Sequence, residues 1–148
     1  MSSGHAEPIR AFSIPAETVA APPARQAWHL LHFAFAIIPL LAGIDKFFHY
    51  LTNWDQYVAP WVVSAVPFTV HSVMLTAGVI EIVAGLIVAF WPRVGAWIVF
   101  AWLCLIIINL LAVPSYYDIA LRDAGLALGA AALARLSVDF ESKNAPQP

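Results

Sequence analysis

Six of the charged residues within the long apolar stretches of this 148-residue chain are the side chains best suited to chemistry. They are Asp45, Lys46, Glu81, Asp118, Arg122 and Asp123. A charged side chain within a membrane span is costly, so it usually pairs with another charge or faces a polar cavity, and it marks a functional position. Lys46 and Arg122 could attract an anion, and burial could raise the pKa of Glu81 or Asp45 enough for it to relay a proton.

The helical spacing of these residues predicts that they meet inside the protein. Asp118 and Arg122 are four residues apart with the acid first, which is the favourable order for a helical ion pair. Glu81 shares a face with Gly78 and Gly85, and small residues at such spacing let a neighbouring helix approach closely. An arginine can bind two carboxylates and keeps its charge when buried. We therefore expect Arg122 to be the hub of a buried cluster, contacting Glu81 or Asp45 as well as Asp118.

The elements that must position these residues are four apolar stretches, at about 28–50, 69–91, 94–113 and 117–136. Each approaches the roughly 20 residues that cross a bilayer as a helix. The chain is 61% hydrophobic and 11% charged, whereas a soluble domain carries about 25% charged residues. The sequence predicts an all-α membrane protein, an antiparallel bundle of four transmembrane helices surrounded by lipid.

Three regions follow from composition. Residues 1–26 are rich in Ala, Pro and Ser, which is typical of a flexible tail. Residues 27–137 form the predicted transmembrane domain, and 138–148 a C-terminal tail. The first apolar run begins too late for a cleaved signal peptide, so we expect the first span to be retained. The long connection 51–68 is aromatic, and it fits either an ordinary interfacial loop or a lid over the bundle.

Other chemistries receive less support. The net charge of −2 and the absence of a basic run argue against nucleic-acid binding. The single cysteine, Cys104, excludes a CxxC redox pair and reads as a small buried hydrophobe. His49 and His71 lie near the same ends of spans one and two, so they could ligate a haem, or simply be interfacial histidines. With no HExxH or Cys/His spacing, we predict no metal site and no cofactor held by the chain itself.

Basic residues predict the orientation. The side that holds the termini and the 2–3 loop has five of them, whereas the other side has only Lys46 and Arg122 within helix ends. The five are Arg10, Arg25, Arg93, Arg135 and Lys143. The positive-inside rule then places both termini in the cytoplasm. The charged cluster would face the periplasm of a bacterial inner membrane.

Four motifs in order resemble the DoxX-like family of small four-helix membrane proteins. They are GIDKFFH at 43–49, GVIEIVAG at 78–85, RVGA at 93–96 and LRDAGLALGA at 121–130. The matching charged positions are Lys46, Glu81, Arg122 and Asp123, while Asp45 and the N-terminal tail go beyond the shared pattern. The family takes its name from subunits of a thiosulfate:quinone oxidoreductase, and relatives include assembly factors and cargo receptors. The resemblance implies a four-helix fold in a membrane and raises a redox role.

Two function classes remain open. The first is an accessory subunit of a quinone-linked membrane redox complex, in which Lys46 and Arg122 meet a quinone carbonyl or a small sulfur compound. The second is a non-enzymatic assembly or transport-accessory protein, in which the charges are an internal clasp. No self-contained catalytic motif decides whether the chain is an enzyme. The third span is apolar on all sides except for Asn109, which predicts a homo-oligomer or a larger complex.

The orientation can be tested by cysteine labelling in a Cys104→Ala background. In intact bacterial cells, a membrane-impermeant maleimide should label Thr52→Cys, because the positive-inside rule places the 1–2 loop outside. It should label Ser3→Cys only after the cells are permeabilised. Labelling of Ser3→Cys in intact cells would show the opposite orientation.

Overall fold

The computed structural model describes residues 22–144, and all regular secondary structure within them is helical. The elements are α1 (Pro22–Phe48), a 3₁₀ helix (Trp54–Tyr57), α2 (Pro60–Ala65), α3 (Val70–Phe90), α4 (Pro92–Leu111) and α5 (Tyr117–Asn144). The aromatic connection between the first two long helices therefore contains two short helices of its own.

Three of these helices, α1, α3 and α4, are long and apolar enough to cross a membrane. The fourth predicted span is also a helix, α5, but its charges are spread differently. The uncharged run between Asp123 and Arg135 covers eleven residues, 124–134, or about 16 Å of helix. A hydrocarbon core is about 30 Å thick. The described chain thus shows three apolar spans, and α5 is a longer helix with charges on both sides of a short apolar centre.

The predicted boundaries of the tails fall within helices. Residues 22–26, assigned to the N-terminal tail, form the first turn of α1, where a leading proline is tolerated because its missing N–H has no helical partner there. Residues 138–144, assigned to the C-terminal tail, continue α5. The ring of Phe140 lies 5.1 Å from that of Trp28, so this extension packs on α1. The rest of both predicted tails, 1–21 and 145–148, lies outside the described residues.

The short connections have clear local causes. Thr69 caps α3 by accepting a hydrogen bond from the backbone N–H of Ser72 at 3.2 Å. Trp91 alone separates α3 from α4, and Pro92 opens α4 at a position that suits proline. A single residue and a proline are therefore enough to end one long helix and begin the next.

Glycine allows α1 and α3 to pack with their backbones nearly touching. A Cβ atom at Gly43 would lie 2.6 Å from the carbonyl oxygen of Gly78, and one at Gly85 would lie 2.8 Å from that of Ala36. The contact partner in α3 moves toward its C-terminus as the residue in α1 moves toward its N-terminus, so the two helices are antiparallel. The stripe around Glu81 is therefore a helix contact, as the small-residue spacing predicts.

The main apolar core lies at the end of the molecule opposite the aromatic connection. All four long helices contribute to it: Phe35, Ala36, Ala84, Val88, Ala96, Val99, Ala130, Leu133 and Ala134. Two polar contacts close this end. Trp28 donates its indole N–H to Ser137 Oγ at 2.9 Å, and a ring nitrogen of His32 lies 3.0 Å from the Val88 carbonyl oxygen.

The glycine contact predicts an asymmetry between two otherwise similar substitutions. Gly43→Ala should destabilise the protein by about 1–3 kcal/mol, because the methyl group would collide with α3 backbone. Gly125→Ala is the matched control, since a Cβ atom there meets no described atom within 4 Å. Alanine favours helix over glycine by up to about 1 kcal/mol. Thermal unfolding in detergent should therefore show a lower Tm for Gly43→Ala alone, and equal behaviour of the two variants would contradict the close packing.

Candidate functional site

A buried ion pair joins α1 to α3. Lys46 Nζ lies 2.6 Å from Glu81 Oε2, and the two side chains are only 5% and 9% exposed. The pair is possible because Gly43 and Gly78 bring the two backbones together directly beside it. Two opposite charges with a direct hydrogen bond can be retained in a low-dielectric interior, where either charge alone would be costly.

Two tryptophans enclose this ion pair. Trp102 of α4 places its indole nitrogen 3.4 Å from Glu81 Oε1, the carboxylate oxygen that Lys46 does not bind. The ring of Trp54, from the 3₁₀ helix, lies over the ammonium group with 3.9 Å between Nζ and the ring centroid. A cation over an indole face is attracted by the electrons of the ring. The pair is thus contacted from α1, α3, α4 and the aromatic connection.

Asp45 organises the chain that follows α1. Its carboxylate accepts hydrogen bonds from the backbone N–H groups of Tyr50 and Leu51 at 3.0–3.2 Å, and from the indole N–H of Trp54 at 2.7 Å. His49, the residue after the helix, has φ 57° and donates its N–H to the Asp45 carbonyl oxygen at 2.7 Å. That left-handed residue ends the helix. Asp45 therefore positions the Trp54 ring over Lys46, the residue that follows Asp45 in the chain.

Asn109 fixes the aromatic connection to α4. Its amide donates to the Tyr57 carbonyl oxygen at 2.6 Å, and its side-chain oxygen accepts from the Ala59 N–H at 2.9 Å. The Tyr57 ring also meets Tyr116 edge-on, with 4.9 Å between centroids. The one polar side chain of the third apolar stretch thus satisfies loop backbone, and the aromatic connection is held across the end of the helices.

A cavity of about 910 Å³ lies beneath this connection. Its polar side chains gather at one end, where Lys46, Glu81, Trp54, Asn109 and Asp123 line it. Its walls then continue between the long helices and are apolar. The remaining apolar wall includes Leu31, Phe35, Ala84, Val99 and Leu103. The volume is in the range of sites that hold small molecules, and a polar end with apolar walls suits an amphipathic one.

The predicted charged cluster is only partly brought together. Arg122 does pair with Asp118, at 3.5 Å, but the two side chains are 76% and 62% exposed. The prediction that Arg122 is the buried hub is therefore wrong: Lys46 is the cation that meets Glu81. Arg122 borders the cavity, but its side chain is mostly exposed and is not part of the buried pair. Asp123 is partly buried and lines the same cavity.

The two candidate histidines lie together at the aromatic end of the protein. The rings of His49 and His71 stack with 5.6 Å between centroids and 22° between planes. Axial ligands of a haem approach the iron from opposite faces, so this side-by-side arrangement fits two ligands of a single ion better. Asp55 Oδ2 lies 3.2 Å from His71 Nδ1 and joins the group.

Several residues of the site were missed by sequence reasoning. Nothing in the sequence singles out Trp54, Trp102 or Asp55, since Trp54 and Asp55 lie in the aromatic connection and Trp102 lies in an apolar span. Asn109 did stand out as the one polar residue of its span, although its loop contacts could not be deduced. The indole N–H of a buried tryptophan usually donates a hydrogen bond. Which acceptor it meets depends on tertiary packing, which the sequence does not give.

Comparison of the chain with family models, curated proteins and solved structures gives no match. The DoxX-like resemblance accordingly rests on the four sequence motifs, and the site is interpreted from its own geometry.

The buried pair predicts a non-additive effect on stability. Lys46→Met or Glu81→Met should each cost about 3–5 kcal/mol, because each leaves one charge buried without its partner. The double variant should regain much of that loss, since no unpaired charge remains. Thermal unfolding of the four proteins in detergent measures this coupling.

The matched control is Arg122→Gln, which removes a cation from an exposed pair and should change stability by about 0–1 kcal/mol. Additive losses in the Lys46 and Glu81 variants, or a large loss in Arg122→Gln, would contradict the assignment of Lys46 as the buried partner.

Proposed function

We propose that the chain is a DoxX-like accessory subunit of a quinone-linked membrane redox complex, and that its cavity binds the head group of a quinone-like amphipathic molecule. The cavity carries this proposal: one end presents an ammonium group, a carboxylate and an indole, and the rest is apolar. A quinone has carbonyl oxygens that accept hydrogen bonds from such donors. Its isoprenoid tail needs apolar walls of the kind that follow.

The side of the cavity between α1 and α5 supports entry from lipid. Ile38 of α1 and Leu126 of α5 line the cavity and yet are 54% and 43% exposed. A site whose apolar lining reaches the surface of the spans is accessible to a molecule dissolved in the membrane. A water-soluble substrate would instead need a polar route.

The membrane arrangement that we propose is an antiparallel four-helix bundle in a bacterial inner membrane with both termini cytoplasmic. Supporting it, the outward side chains of α5 include Leu121 and Leu128, which are 76% and 72% exposed. Exposed leucines at a helix surface suit lipid. The charges at the start of α5 would lie near the interface, where long side chains can reach water. The basic asymmetry of the sequence sets the direction.

Partners are expected on the same apolar surface. Large side chains such as Trp97, Leu105 and Ile108 of α4 are also exposed. We propose that part of this surface contacts a second copy of the chain or another subunit. Such a partner would supply the electron carrier, because the described residues contain no recognised motif for binding one.

The alternative is a non-enzymatic assembly or transport-accessory protein. One observation favours it: the Lys46–Glu81 pair is well satisfied by its own contacts and could serve only to fix the helix order. In that case the cavity would hold lipid chains, and the exposed apolar surface would be the functional part.

Quinone binding provides the test. Purified protein in nanodiscs should show saturable quenching of tryptophan fluorescence by ubiquinone and menaquinone analogues, since Trp54 and Trp102 border the cavity. Ala77→Phe should weaken binding by on the order of tenfold or more, which corresponds to about 1.4 kcal/mol, because the added ring occupies cavity space. Ala101→Phe is the matched control, as Ala101 is exposed on α4 and does not line the cavity.

Equal quenching in wild type and Ala77→Phe would contradict the site. If both lack saturable binding while the chain still co-purifies with membrane partners, the assembly role is favoured.

A further inference from the structure

Three side chains at the aromatic end of the protein form a cluster of metal-ligand type outside the cavity. His49 follows α1, Asp55 belongs to the 3₁₀ helix, and His71 lies in the first turn of α3. One potential ligand atom from each lies within 4.8 Å of the other two. We propose that these residues form a binding site for a divalent transition-metal ion, with zinc as the best match.

The donor set fits zinc. Imidazole nitrogen and carboxylate oxygen both bind zinc at about 2.0–2.2 Å, so two donors on one tetrahedral ion lie about 3.4 Å apart. His71 Nδ1 and Asp55 Oδ2 are already 3.2 Å apart. The three ligand atoms lie no more than 4.8 Å apart, and the His71 side chain is 52% exposed, which leaves it room to rotate toward a shared ion. Three protein ligands would leave one position for water or another small ligand.

Asp55 provides a second, independent indication. Its Oδ1 atom is buried and has no hydrogen-bond partner among the described residues. A buried carboxylate oxygen without a partner is costly, and such groups usually have an ion or water that completes them. The backbone of Asp55 is meanwhile held in place, because its N–H donates to the side chain of Asn53 at 3.2 Å. The carboxylate is thus presented by an ordered turn.

The backbone of His49 is held in a defined position. Its φ of 57° is the left-handed conformation that ends α1. The hydrogen bonds that Asp45 makes to residues 50 and 51 keep His49 in this position. An ion bound here would link the end of α1, the 3₁₀ helix and the start of α3.

This site is separable from the proposed quinone site, because none of its three side chains lines the cavity. The sequence placed His49 and His71 near the same ends of two spans, but it did not indicate Asp55, which is six residues after His49 and sixteen before His71. The fold of the aromatic connection brings Asp55 to the two histidines.

Zinc titration of the full chain tests the proposal. Protein purified in detergent through a tag without histidines should bind one zinc ion per chain by isothermal calorimetry, and its Tm should rise with zinc. Cobalt should give visible ligand-field absorption from the same site. His49→Asn, Asp55→Asn and His71→Gln should each weaken zinc binding at least about tenfold. Loss of a residue that only supports a metal ligand already lowers metal affinity by about that factor, so loss of a ligand should cost no less. Asparagine is chosen at 49 because it tolerates the left-handed conformation.

The matched controls are His29→Asn and Asp118→Asn, which remove an exposed imidazole and an exposed carboxylate elsewhere. Both should bind zinc as the wild type does. Non-saturable zinc binding in the wild type, unchanged affinity in the three site variants, or equal weakening in the controls would each overturn the site. All five variants should show the same monodispersity in detergent and the same helical circular dichroism, which checks that each of them folds.

Discussion

The arrangement of the helices and of the aromatic connection depends on the buried Lys46–Glu81 ion pair. Two charges placed deep among apolar helices can remain only if their hydrogen bonds are met inside the protein. Gly43 and Gly78 help to meet that requirement because they let α1 and α3 approach closely, and Trp102 of α4 contacts the second carboxylate oxygen. The same requirement also explains why the aromatic connection folds inward, because Trp54 covers the ammonium group from above.

The same pair gives the cavity its polarity. A purely apolar space between helices would ordinarily collapse or fill with lipid chains. In such a space the two ends would be chemically alike. Here the ion pair, the indoles and Asn109 are all at the end closed by the connection, while the opposite end merges with the apolar core. An amphipathic molecule would therefore have one preferred orientation inside. This directionality distinguishes the site from a simple packing defect.

The local sequence predicted the elements better than their relations. Apolar runs indicated the three spans, and the glycine spacing around Glu81 correctly indicated a helix contact. We expected Arg122 to contact Glu81 or Asp45 because an arginine can bind two carboxylates and keeps its charge when buried. Which cation reaches Glu81 depends on the rotation of α5 relative to α3, and periodicity within one helix carries no information about that rotation. The grouping of His49, Asp55 and His71 likewise depends on how an irregular connection folds.

The adjacent residues Asp45 and Lys46 show how one helix end can serve two purposes. Consecutive residues in an α-helix are rotated by about 100°, so their side chains cannot both face α3. Lys46 turns to Glu81, and Asp45 turns to the chain that leaves the helix, where it binds two backbone N–H groups and the Trp54 indole. Trp54 then returns to the ammonium of Lys46. The acid thus acts on the buried pair indirectly, by fixing the connection that shields it, and the same fixed connection carries Asp55 toward the two histidines.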